Sequence, residues 1–109
     1  MSDFSDILDR VREFAGQRIL FLPHAIRQMA RPAVPIRTSE IRNVIFRGDV
    51  IEDYPEDARG HSCLIFGSGH GDRPIHVVCS PKDEYVAIIT TYLPEVDRWS
   101  ADLRERREP

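Results

Sequence analysis

The sequence predicts an α+β fold, with N-terminal helices packed on one face of a four- to five-stranded antiparallel meander sheet. Apolar residues recur at helical spacing as far as Arg47. From Asp49 the chain changes to short β-branched runs broken by proline, glycine and acidic turns. The order of these runs is a further sign: helix, short strand, two helices, then four strands in succession. At 109 residues and 41% hydrophobic content, one domain (1–109) with one modest core is expected. It divides into an N-terminal helix (1–16), a core (18–94) and a C-terminal tail (95–109).

Phe4, Ile7, Leu8, Val11, Phe14 and Ala15 make the stretch from Ser2 to Ala15 an amphipathic helix. Ser2 is its expected cap, Asp3 and Asp6 lie near its positive end, and Gly16 stops it. Arg18–Leu22 is a short edge strand. Pro23 opens a helix over His24–Arg31, with Ile26, Met29 and Ala30 facing inward. A proline-punctuated connection leads to Thr38 or Ser39, the cap of a helix over Glu40–Arg47. Ile41, Val44 and Ile45 form its buried stripe, and Gly48 ends it.

Asp49–Tyr54 is a short strand, 55–60 an acidic loop, and His61–Gly67 a second strand. The glycine-rich turn Ser68–Asp72 joins it to two apolar runs, Ile75–Cys79 and Tyr85–Tyr92. These runs are expected in the middle of the sheet. A turn centred near Gly71 sets Cys63 opposite Cys79 and Ile65 opposite Val77. His76 then shares a face with Leu64, Phe66 and Val78. Pro94 ends the last strand, Trp99 anchors the tail, and a frayed helical turn is expected beyond it.

The net charge of −3 disfavours a simple electrostatic nucleic-acid binder, but the charge is unevenly spread. Eight arginines face only Glu13 and Glu40 between Arg10 and Arg47. From Gly48 onward thirteen acidic residues outnumber seven basic ones. Lys82 is the only lysine, so phosphate or carboxylate recognition would fall to arginine, whose planar fork suits both. The chain has no run long enough to span a membrane and no secretory signal pattern, so a cytoplasmic location is expected. Cys63 and Cys79 are then buried thiols rather than a disulfide.

Several segments together resemble the family called domain of unknown function 4258. They are P-H-A-I-R-Q-M at 23–29, S-E-I-R-N-V-I at 39–45, G-D-V-I-E-D-Y-P at 48–55, G-H-S-C-L-I-F-G at 60–67, R-P-I-H-V-V at 73–78, I-I-T-T-Y-L-P at 88–94 and R-W-S-A-D-L-R at 98–104. The family commonly reads H-A-x-x-R-M, whereas this chain has Gln28 at that arginine's place and Arg27 one position earlier. The family is similar to the broader RelE/ParE toxin fold, helices on an antiparallel sheet. That likeness implies a toxin-type RNA endonuclease of a toxin–antitoxin pair, with an antitoxin protein as partner and RNA or the ribosome as target.

The residue types fit such chemistry. A metal-independent ribonuclease needs an acid, a base and cations for the crowded phosphate. His24 and His76 are the candidate acid–base pair, Arg73 with Arg27 the phosphate ligands, and Tyr92 the group that orients the nucleotide. Glu52, Tyr54, Thr91 and Trp99 are further candidate substrate contacts, and Arg104, Arg106 and Arg107 could touch phosphate. No cofactor is expected. No metal is expected either, because His61-x-Cys63 and His76-x-x-Cys79 form no strong zinc code and strand positions 76 and 79 point to opposite faces. The alternative function is a non-catalytic protein- or anion-binding module that uses the same groove.

Overall fold

The structure, a computed structural model, describes residues 4–107. The caps expected from Ser2 and Asp3 lie outside the described residues. Helix α1 (Ser5–Ala15) buries Ile7, Val11 and Ala15. Strand β1 (Ile19–Phe21) leads into α2 (Pro23–Met29), which Pro23 opens, and α3 (Thr38–Arg47) follows. The remaining strands are β2 (Asp49–Tyr54), β3 (Ser62–Ser68), β4 (Pro74–Pro81) and β5 (Val86–Tyr92). A 3-10 turn, His70–Asp72, joins β3 to β4. Gly71 sits there at φ 65°, a conformation glycine adopts without steric cost.

The sheet order is β1-β5-β4-β3-β2. Strands β2 to β5 form the expected antiparallel meander, but the sheet is mixed, because β1 runs parallel to β5 with Ile19 beside Val86 and Phe21 beside Ile88. No hairpin fixes the direction of β1. Two helices and three strands separate it from its partner, so the packing of α1 and α2 orients it. The expected register across β3 and β4 is found: Cys63 faces Cys79, Ile65 faces Val77 and Phe66 faces His76.

Period-two alternation divides the sheet residues between two apolar clusters. On the helix side, Cys63, Ile65, Ile75, Val77, Cys79, Val86 and Ile88 meet Val11, Ala25, Ile41, Val44 and Ile45. On the opposite side, Leu64, Val78 and Ile89 are covered by Trp99, with Tyr54, Tyr92 and Leu103 at the margin. Several local expectations are corrected. Of the three residues expected to face inward on α2, only Met29 packs against the core. Ile26 is 52% exposed, Ala30 is exposed beyond the helix end, and Ala25 is the fully buried residue, because this two-turn helix meets the sheet edge along Ala25. The cap of α3 is Arg37, whose extended backbone turns its N–H onto Glu40 Oε1 at 3.0 Å; Thr38 is already helical.

The tail is not a helical turn. It doubles back through turns, and a single β-bridge joins Trp99 to Arg106. No helix among the described residues is long and apolar enough to cross a membrane. Cys63 and Cys79 are buried free thiols.

Candidate functional site

The tail side of the sheet is not fully covered. Leu22 belongs to the tail-side cluster and Ala25 to the helix-side core, so the start of α2 passes around the β1–β5 edge. This places His24 at the rim of the tail-side face. Two adjoining clefts of about 660 and 470 Å³ open there, and Val78, Thr90 and Arg106 line both. The larger also receives Arg31, Tyr92, Arg98, Trp99 and Arg107, with Glu95 and Asp97. The smaller receives His24, Tyr54, Asp57 and Arg59. Five arginines and one imidazole therefore face three carboxylates in one open trough.

Arg106 divides the trough and is held on three sides. Its Nε donates to both oxygens of Glu52 at 3.1 Å, its Nη2 reaches the Tyr54 hydroxyl at 3.4 Å, and its guanidinium lies 4.8 Å from the Trp99 ring centre. The Tyr54 hydroxyl donates to Glu52. Burial and that carboxylate push Tyr54 up to about 12, so its proton stays in place at neutral pH. Glu52, mid-strand on β2, thereby gains the partners that its position demands. Arg59 and Ser62 hold the Asp57 carboxyl well below the usual range, which fixes the turn between β2 and β3.

His76 lies beneath this surface with no exposure. Its Nε2–H donates to the Leu103 carbonyl at 2.9 Å, leaving Nδ1 to accept from the Tyr92 hydroxyl at 3.4 Å. The rings of Trp99, Tyr92 and Phe66 stand edge-on at 4.4, 5.3 and 5.5 Å. Burial lowers its pKa to about 4, so the imidazole is neutral at pH 7. Thr91 is buried too, and its hydroxyl donates to the His76 carbonyl at 2.9 Å.

Arg73 is on the other side of the sheet. Its guanidinium grips Glu40 through Nε at 2.9 Å and Nη2 at 2.8 Å, and also donates to the Pro35 carbonyl. Glu40 is 2% exposed and accepts further N–H groups from Arg37 and His70. Burial alone would raise this carboxyl, but the donors outweigh it and bring it down to about 2. The structure therefore brings His24, Tyr54, Tyr92 and part of Trp99 to the trough. It places His76 under its floor, Thr91 on the helix side of the sheet opposite Val77, and Arg73 on that helix side as well. Arg27 is exposed on α2 without lining either cleft. Arg31, Arg59 and Arg98 escape sequence inspection as site residues, since nothing in their local motifs separates them from solvated surface arginines.

The family model described as domain of unknown function (DUF4258) matches residues 21–93, two thirds of the chain. The chain belongs to the DUF4258 family. No curated protein and no solved structure matches it. The DUF4258 match takes in α2, the whole meander and the Arg73–Glu40 pair. It stops before Trp99 and the four tail arginines. The trough thus combines a floor and one rim from the family segment with a second rim from residues beyond it.

Proposed function

We propose that this DUF4258 chain is an anion-binding module whose trough holds a phosphate-bearing ligand. The supporting observation is the convergence of Arg31, Arg59, Arg98, Arg106 and Arg107 on one open surface, with His24 and Tyr92 among them. Guanidinium forks bind phosphate oxygens two at a time. Arg31 and Arg98 hold only loose partners, Gln28 at 3.5 Å and Glu95 at 3.8 Å, so a ligand meets little competition for them. Titration calorimetry with pyrophosphate and with a short oligoribonucleotide tests this. Binding is expected for wild type, and Arg31→Gln with Arg98→Gln should weaken it at least tenfold without changing the circular dichroism. For the oligoribonucleotide the salt slope should fall by about 0.7 per lost phosphate contact. No heat from either ligand would end the proposal.

A second reading makes the module a toxin-type RNA endonuclease with an antitoxin partner. His24 favours it: an imidazole at the cleft rim beside Arg59 and Arg106 combines an acid–base group with phosphate ligands. In this reading His76, neutral and capped by Leu103, acts only by orienting the Tyr92 hydroxyl, and Arg73 sets the fold. Purified protein should then cleave RNA, alone or on ribosomes, and His24→Gln should lower the rate by about 100-fold or more. Cleavage equal to a buffer blank would leave the binding reading alone standing.

A further inference from the structure

We propose that Cys63 and Cys79 form an oxidation site, a cross-strand thiol pair that a hydroperoxide converts to a disulfide. The two residues are direct register partners on β3 and β4. Both belong to the helix-side cluster, both are free, and neither is exposed. Facing Cα atoms of antiparallel strands lie about 4.5–5.5 Å apart. A disulfide bridges roughly 4.4–6.8 Å, so the backbone already has the required spacing. Closure therefore needs side-chain rotation and no slip of the strands.

The surroundings explain why the pair persists reduced. The neighbouring Cys63 thiol and burial push the Cys79 thiol up, so it stays protonated, and a protonated thiol is a poor nucleophile. Oxidation proceeds when the helix layer opens enough to admit peroxide and release a proton. One thiolate attacks the O–O bond, giving a sulfenic acid and, after protonation, water. The second thiol attacks the sulfenic sulfur and expels another water. Two thiols and one hydrogen peroxide thus yield one disulfide and two waters. The linkage encloses only the β3–β4 hairpin, whose strands are already paired. The trough lies on the other face of the sheet, so this site is independent of the anion-binding proposal.

The test treats full-length protein with hydrogen peroxide in increasing, sub-denaturing urea. Samples are then unfolded with N-ethylmaleimide and weighed. The expected product is a monomer lighter by two hydrogens, without maleimide, and restored by dithiothreitol. Tandem mass spectrometry should place the link between Cys63 and Cys79, and its rate of formation should rise with urea. Cys63→Ala and Cys79→Ala should each abolish it. Two thiols still labelled throughout, oxygen adducts on single cysteines, or disulfide-linked dimers would each overturn the proposal. The wild-type mapping decides the matter even if either variant fails to fold.

Discussion

Replacing Glu40 with alanine is expected to destabilise the protein by about 3–5 kcal/mol, the range found when one partner of a buried ion pair is removed. The carboxylate is almost fully enclosed and accepts from the Arg73 guanidinium, the Arg37 N–H and the His70 N–H. Its removal strands a guanidinium that is 28% exposed, together with two backbone donors. It also unties the start of α3 from the turn between β3 and β4. Urea unfolding measures the loss, and a change below about 1 kcal/mol would show that water replaces the carboxylate cheaply. The pH dependence has a definite sign. Glu40 has a folded pKa of about 2 against an ordinary 4.5. Its contribution is therefore complete above pH 4.5 and fades as the pH falls towards 2. Glu40→Gln should remove that part of the acid sensitivity.

Replacing Trp99 with alanine is expected to cost about 3–5 kcal/mol as well, through loss of a large buried side chain. Trp99 is 3% exposed, stands 4.4 Å from the His76 ring and carries Arg106 on its face. Its carbonyl also accepts from Arg107. Without the indole, the tail loses its anchor and water reaches His76. The imidazole pKa should then climb from about 4 towards its ordinary 6.5, because burial is what lowers it. Since the folded wild type disfavours the charged ring, His76 contributes stability above pH 6.5, and this is lost as the pH falls towards 4. Trp99→Ala should flatten that slope. NMR titration of the His76 ring protons follows the change directly. A midpoint that stays near 4 would mean that the sheet alone excludes water.

The parts legible in sequence are those set by local rules. Helical spacing located α1 and α3, and the glycine turn fixed the partnership of Cys63 with Cys79 because hairpin register follows from loop geometry. The shared face of His76 and Phe66 followed from the same alternation, but the burial that removes His76 from the expected acid–base pair did not, because the tail that covers it carries no readable period. The direction of β1 was not legible, since three residues carry no period and their partner lies near the other end of the chain. Glu40 resembles an ordinary first-turn acid, and only the folded turn at His70 brings Arg73 to it. The trough was hidden for a similar reason: its lining is gathered from α2, the turn between β2 and β3, β4, β5 and the tail, segments far apart in the sequence. A histidine in an apolar strand and an arginine beside it look like neighbours in sequence, yet the pleat sends them to opposite faces.

The pairing of β1 with β5 has a consequence for synthesis. Ile19 and Phe21 leave the ribosome well before the strand that receives them, with two helices and three strands made in between. A nascent chain that stops short of Val86 offers β1 no partner, and α1 no complete surface on which to dock. The segment up to Phe21 must therefore wait, with its apolar stripe uncovered, until Val86–Tyr92 has been made.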